Sequence, residues 1–206
     1  MSIAEDYNQW AAIYDTNDNK TRDLDAFATQ KVLQNIRFNN VLELGCGTGK
    51  NTQWLLKKGA KVTALDFSSK MLEKATQKIQ NSNVQFVLTD LNKKWPDLPE
   101  SFDLITCSLT LEHIKNLNAI FSQAAHHLAK NGRFFICELH PFKQYLGSKA
   151  RFEDKENSTV LEVYKHHLSD YLNAAENNEL KLIKMQEWFD EDINDIPRLI
   201  SFVFKK

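Results

Sequence analysis

Apolar residues along this chain fall into two alternating patterns. Five runs are short, continuous and β-prone: 41–44 (VLEL), 61–65 (KVTAL), 84–88 (VQFVL), 102–107 (FDLITC) and 133–138 (RFFICE). Runs of that length between turn residues read as buried strands. Between them the apolar positions take helical spacing over 50–58, 68–80 and 116–130. In the second of these, Met71, Leu72, Ala75 and Ile79 share one face behind a Ser68-Ser69 start. The third is expected to end at Asn131-Gly132, a helix stop. Strand, helix, strand in succession predicts a parallel sheet with helices on both faces.

The flanks read differently. Residues 1–38 predict two helices, around 4–14 and 23–37. Residues 141–166 are irregular and rich in charge and aromatics, and 168–178 read as a helix. Two more β-prone runs, 181–189 and 199–204, are joined by a loop holding Pro197. A pair joined without a helix is expected to be antiparallel. The predicted fold class is therefore α/β, a doubly wound seven-stranded sheet, mostly parallel with one reversed strand near the C-terminus. No composition shift marks a boundary, so 1–206 reads as a single domain. Its expected parts are a helical cover (1–38), a core (39–140), a lid over the second substrate (141–167), and a helix with a strand pair (168–206).

Composition removes several classes of function. The chain has 206 residues, 42% hydrophobic, with 26 basic against 27 acidic residues and a net charge of −1. That balance leaves no electrostatic footprint for nucleic acid or an anionic membrane. No segment approaches the roughly 20 apolar residues of a membrane span. The start, MSIAEDYNQW, is acidic and polar, unlike a secretory signal. Cys46, Cys107 and Cys137 are odd in number and show no zinc spacing. They read as reduced thiols of a cytoplasmic protein, and no metal site is expected.

The chemistry concentrates in VLELGCGTGKNTQWL, residues 41–55. Gly45, Gly47 and Gly49 directly follow the first core strand. Ligands of open α/β sheets bind at such carboxyl ends, and glycines allow close backbone approach. The spacing GxGxG differs from the dinucleotide GxGxxG and from the Walker loop. Asp66, ending the second strand, lies about twenty residues on, where a carboxylate reaches a ribose hydroxyl. Asp90 ends the third strand, where a carboxylate suits an exocyclic amine. A ligand-free glycine turn and two helix-capping aspartates form the bland alternative.

Glu43-Leu44-Gly45-Cys46-Gly47-Thr48-Gly49, Ala64-Leu65-Asp66-Phe67 through Leu72, Thr89-Asp90-Leu91 and Phe102-Asp103 through Ser108 occur in this order. The set resembles the successive motifs of class I S-adenosylmethionine-dependent methyltransferases. It is most similar to the small-molecule branch that includes ubiquinone/menaquinone-type and biotin-pathway methyltransferases. The resemblance covers roughly residues 38–140. It implies a Rossmann-like fold, S-adenosyl-L-methionine as cofactor and S-adenosyl-L-homocysteine as product. It further implies that Gly45, Gly47 and Gly49 admit the methionyl part, lined by Cys46 and Thr48, with Glu43 organising the amino-acid end. Asp66 would hold the ribose, Phe67 and Met71 pack near the adenosine, and Asp90 and Leu91 receive the adenine. Ser108 and Leu109 would border the methyl group.

Such a cofactor carries a sulfonium cation, which aromatic faces stabilise by roughly 0.5–2 kcal/mol. Tyr7, Trp10 and Tyr14 are candidates for that or for closing over it, with ordinary packing as the alternative. Arg22 is a candidate for the cofactor carboxylate. Methyl transfer chiefly needs alignment and exclusion of water, plus a general base when the acceptor bears a proton. His113, His140 and His167 are the candidate bases, being at or beyond strand ends or just before a helix. Lys143, Tyr145, Lys149 and Arg151 are candidates to meet an acidic acceptor. Cys107-Ser108-Leu109-Thr110 lacks the Asn/Asp-Pro-Pro-aromatic run of base and glutamine methylation, and no cysteine follows a proline. A small-molecule acceptor is therefore expected, with no nucleic acid, while its identity and the oligomeric state stay open. The competing readings are a nicotinamide-dependent reductase, aminopropyl transfer, and a non-catalytic cofactor-binding module or partner subunit.

Overall fold

A computed structural model describes residues 3–98, 101–148, 151–153, 158–161, 163–191 and 195–206. Two helices come first, α1 (Ile3–Trp10) and α2 (Lys20–Leu33). The core then runs β1 (Asn40–Leu44), α3 (Lys50–Lys57), β2 (Lys61–Asp66), α4 (Ser69–Lys78), β3 (Val84–Leu88), β4 (Phe102–Ser108), α5 (Leu117–His127) and β5 (Leu128–Leu139). After it come α6 (Pro141–Tyr145), a small ribbon of β6 (Arg151–Glu153) and β7 (Ser158–Val160), α7 (Leu168–Glu176), β8 (Lys181–Trp188) and β9 (Leu199–Lys205).

The main sheet has seven strands in the order β3-β2-β1-β4-β5-β9-β8. The first five are mutually parallel, and β9 is antiparallel to both β5 and β8. The expected single reversal is thus β9. The chain order reverses between β1 and β4, and the crevice beyond their carboxyl ends is where such sheets bind ligands.

Strand periodicity sorts the side chains between the two faces. Leu42, Leu44, Ile105, Cys107, Phe134 and Ile136 pack toward α5 and α7. Val41, Leu104, Phe135 and Cys137 pack toward α2, α3 and α4. Glu43 and Thr106, paired in register across β1 and β4, therefore share the second face. On the first face the rings of Phe121, Phe134 and Phe204 meet edge-on, Phe121 lying 5.2 and 5.4 Å from the other two. Truncating such a ring costs about 3–5 kcal/mol.

Local chemistry starts α4 and α5 where expected, whereas α2 begins at Lys20 and ends at Leu33 instead of running from 23 to 37. Asn19, Ser68 and Asn116 cap α2, α4 and α5 by accepting from the amides of Arg22, Met71 and Ala119. Three further features differ from expectation. Helix α1 ends at Trp10, and turns carry the chain on through Asn17. Helix α5 ends at His127, so Asn131-Gly132 is no helix stop. It forms an irregularity inside β5, where Asn131 has φ 64° and the β4 pairing jumps between Phe102 and Leu104. A β-carbon on Gly132 would lie 2.9 Å from Ala129 O and 3.0 Å from Phe102 O, so strand pairing itself selects glycine there. Lastly, the segment read as irregular holds α6 and the β6–β7 ribbon.

Candidate active site

The three loop glycines all have positive φ, yet they serve different neighbours. A β-carbon on Gly45 would sit 2.1 Å from Thr110 Oγ1, and one on Gly49 would sit 2.6 Å from Ile79 Cδ1. These two positions admit the protein's own side chains. Only Gly47, with nothing within 4 Å, faces open space.

Asp66 closes back on this loop. Its Oδ2 accepts from the Gly47 amide at 2.8 Å and its Oδ1 from the Ser68 amide at 2.8 Å. Burial pushes its pKa up to about 6, opposed by those amides. Glu43 is also buried; Thr52 Oγ1 donates to its Oε2 at 2.5 Å. Burial raises it to about 8, with the charges of Asp25 and Asp66 adding to the rise. Asp25, on α2, takes the Asn51 amide group at 3.1 Å, and burial raises its pKa too.

Three openings lie along the carboxyl edge of the sheet. The first, about 560 Å³, is lined by Phe67, Asp90, Leu91, Thr110 and His113 among others. Asp90 sits at its mouth, accepting from the Asn92 amide at 3.0 Å and 3.3 Å from Lys93 Nζ. The second is a narrow cleft of about 60 Å³ over the glycine loop. Glu43, Cys46, Thr48, Asn51, Ser108 and Leu109 help to line it, with Tyr14 and Arg22 from the N-terminal segment across it. Buried here, Asn51 Oδ1, Thr106 Oγ1 and Arg22 Nε have no hydrogen-bond partner among the described residues. Native interiors rarely leave such atoms unpaired, so the cleft suits a ligand with both donors and acceptors. An amino-acid moiety has that character. The third opening, about 660 Å³, shares Tyr14, Arg22 and Leu109 with the cleft and extends to Tyr7, Glu112, Leu139, Lys143 and Arg198.

Helix α1 lies across these openings. The Tyr7 ring meets Phe67, Trp10 and His113 at centroid distances of 5.4 Å each, and its hydroxyl is 2.8 Å from His113 Nε2. Asn8 Oδ1 accepts from Ser68 Oγ and the Lys70 amide, and Asp15 bonds Thr48 Oγ1 at 2.6 Å and Lys78 at 2.6 Å. Arg22 stacks on Tyr14 at 4.2 Å and donates to the carbonyls of Tyr14 and Asn17.

The three candidate histidines separate. His113 lines the first opening and supports Tyr7. His140 is not at the site. Its Nδ1 accepts from the Phe142 amide to cap α6, and its Nε2 is 3.1 Å from Glu187 Oε1. His167 stands at the start of α7, where its amide donates to Asp170 Oδ2 at 2.7 Å, and its Nδ1 lies 2.7 Å from the Tyr145 hydroxyl, also away from the openings. Met71 is fully buried under α4 and lines none of the three openings. Lys143 lines the third, Lys149 lies outside the described residues, and Arg151 is described only as the first residue of β6.

Two carboxylates escaped the sequence reading. Glu138 Oε1 accepts from the Thr110 and Leu111 amides, both at 2.9 Å, which fixes the loop after β4. Glu112 is buried with its Oε2 unpartnered among the described residues, and burial raises its pKa to about 7. Its only signal in the sequence was adjacency to His113 in LEHI.

A doubly wound sheet with an open glycine cradle and two carboxylates ending adjacent strands defines a nucleoside-cofactor protein. Residues 41–132 match the profile of a methyltransferase-domain family. An uncharacterized protein of Haemophilus influenzae is 31% identical over 178 residues, covering 84% of this chain and 66% of that protein. A demethylmenaquinone methyltransferase of Tropheryma whipplei is 35% identical over 103 residues, covering 49% of this chain and 42% of that enzyme. This chain therefore spans less than two thirds of either relative's length. The crystal structure of the N-methyltransferase NodS from Bradyrhizobium japonicum with S-adenosyl-L-homocysteine aligns with a TM-score of 0.74 at 15% identity, over 100% of this chain and 98% of that one. Residues 41–132 are thus similar to a methyltransferase domain, and the chain has the fold of S-adenosylmethionine-dependent methyltransferases.

Proposed function

We propose that this protein transfers the methyl group of S-adenosylmethionine to a small-molecule acceptor. The carrying observation is the narrow cleft over Gly47, whose unpaired polar atoms adjoin a cavity large enough for a second substrate. When bound, the cofactor supplies a methyl group on a cationic sulfur. Asn51 Oδ1, with Asp25 and Glu43 beside it, holds the cofactor ammonium, and Arg22 holds its carboxylate. Asp66 receives the ribose hydroxyls on the lone pairs that its two amide bonds leave free. Phe67 and Leu91 flank the adenine and Asp90 accepts from its amine. Cys46, Thr48 and Ser108 line the methionyl seat, with Leu109 and Tyr14 between it and the acceptor.

Gly45 and Gly49 shape the cradle from behind, and Met71 supports it as core. His113 acts by positioning Tyr7, while His140 and His167 stand outside the catalytic set. We take 1–206 as one functional unit working in the cytoplasm on a small molecule rather than nucleic acid. Three buried thiols and the balanced charge support that placement. Among the described residues no helix is long and apolar enough to cross a membrane.

Calorimetric titration with S-adenosylmethionine, S-adenosylhomocysteine, NADH and NADPH tests this. Micromolar binding of the sulfur pair alone is expected, weakened at least about tenfold by Asp66→Ala. Binding of NADH or NADPH instead would return the loop to the dinucleotide class.

A further inference from the structure

The cavity of about 660 Å³ beside the glycine cleft has a one-sided charge. Lys20, Arg22, Lys143 and Arg198 line it against a single carboxylate, Glu112, although the whole chain carries −1. Two of these cations are committed. Arg22 is held by backbone carbonyls and Asn17, and Arg198 grips Asp190 at 2.5 and 2.6 Å while donating to Thr21 Oγ1 at 3.0 Å. Lys20 and Lys143 form no ion pair among the described residues. Asp190, already gripped by Arg198, is the carboxylate that both lysines act on, and Glu112 is the one acid lining the cavity among the described residues.

Glu112 and the cations stand at different places along the sheet edge. Glu112 follows β4, whereas Lys143 follows β5 and Arg198 precedes β9. Those strands are consecutive in the sheet, so the two ends are offset by about 5–10 Å at one strand spacing each. Glu112 is fixed from both sides. The Glu138 carboxylate holds the amides of Thr110 and Leu111, and the Tyr164 amide donates to the Glu112 carbonyl at 2.7 Å. Glu112 lines the cavity from this braced turn, and its Oε2, enclosed and unpartnered among the described residues, wants a donor.

We propose that the acceptor is a small anion, a carboxylate or phosphate seated by Lys143 and Lys20, whose reacting group is an O–H or N–H that donates to Glu112. This rests on the methyltransferase reading and adds the substrate class and the base. In the transfer, the acceptor lone pair forms the new bond to the methyl carbon. The carbon–sulfur pair returns to sulfur, and the acceptor proton passes to Glu112 and from there to solvent. Charge balances, because the sulfonium becomes a neutral thioether as the carboxylate becomes an acid. Burial holds Glu112 near neutrality in pKa, which suits a group that takes a proton in one turnover and returns it.

Binding of four matched probes to the full chain, loaded with S-adenosylhomocysteine, tests the proposal by calorimetry. The probes are 4-hydroxyphenylacetate, its neutral amide, tyramine, and phenylacetate without the hydroxyl. The first should bind about tenfold tighter than the amide, with tyramine weakest. Lys143→Ala should remove most of the acid-over-amide preference. Loss of the hydroxyl should cost about fivefold in wild type and under twofold in Glu112→Ala. Glu112→Gln, closer in shape, should retain part of that difference, and the wild-type ranking stands without any variant.

Equal or tighter binding of tyramine, a hydroxyl effect indifferent to Glu112, or no binding of any probe while S-adenosylhomocysteine binds would overturn the assignment. If S-adenosylhomocysteine itself fails to bind, the cofactor reading fails separately. The ranking of the probes on the unloaded chain then still decides the charge preference of the cavity.

Discussion

Glu43, Asp66 and Glu112 are held at pKa values of about 8, 6 and 7, each chiefly by burial. All three stand above their unfolded values, so the folded chain holds protons that the unfolded chain has released. Their contribution to stability is complete below about pH 4 and is lost as pH rises through 6, 7 and 8. The ligand-free protein should therefore melt progressively lower between pH 5 and pH 8. In the proposed pose the cofactor ammonium lies beside Glu43, so the thermal shift on binding should grow as pH rises toward 8. Glu43→Gln should flatten the pH slope, and a slope unchanged by that variant would contradict this account.

Gly45→Ala makes a second case. The new methyl meets Thr110 at a positive φ, so a loss of at least about 2 kcal/mol in urea unfolding is expected. Gly47→Ala meets nothing and should cost only about 1 kcal/mol of backbone strain, while weakening cofactor binding far more than its stability cost suggests. The sequence showed these glycines as one motif. Their division into two packing positions and one open position depends on Thr110 and Ile79, which are distant in the chain.

Helix α1 and the turns behind it close over the cleft through Asn8, Asp15 and Arg22. The cleft beneath is narrow, about 60 Å³, so a cover that moves as the cofactor enters is expected. Hydrogen exchange over residues 3–22 should slow on cofactor binding. Asp15→Ala, which frees the cover from Thr48 and Lys78, should speed both association and dissociation in stopped-flow measurements. Unchanged rates would mean that the cover is not the barrier.

The core elements were legible because their signals are local, such as the apolar period, Ser68 and Asn116 as caps, and the loop at Pro197. The end of α5 was not, since Asn131-Gly132 serves a strand irregularity imposed by pairing with β4. His140 and His167 carry a similar ambiguity. A histidine at a strand end or before a helix looks the same in sequence whether it faces a ligand or stands at a helix start, as both do here.

Across the whole molecule, one sheet carries two apolar layers, α2 packs on the same face as α3 and α4, and Trp10 of α1 packs in a small third cluster with Leu161. Calorimetry should accordingly give a single unfolding transition with equal calorimetric and van't Hoff enthalpies. Two separate transitions would show that the flanks outside 39–140 fold apart from the core.

Order and spacing along the chain were enough for the α/β class, the reversed strand, the glycine loop and the carboxylates at 66 and 90, because each rests on residues a few positions apart. The composition of the large cavity beside the cleft was beyond that reading. Tyr7, Glu112, Lys143 and Arg198 come from four separate parts of the chain and become neighbours through the strand order and the cover laid across it. Long-range packing also decided which acids lost their water. Desolvation depends on what lies above a side chain in space, which neighbours in sequence do not specify.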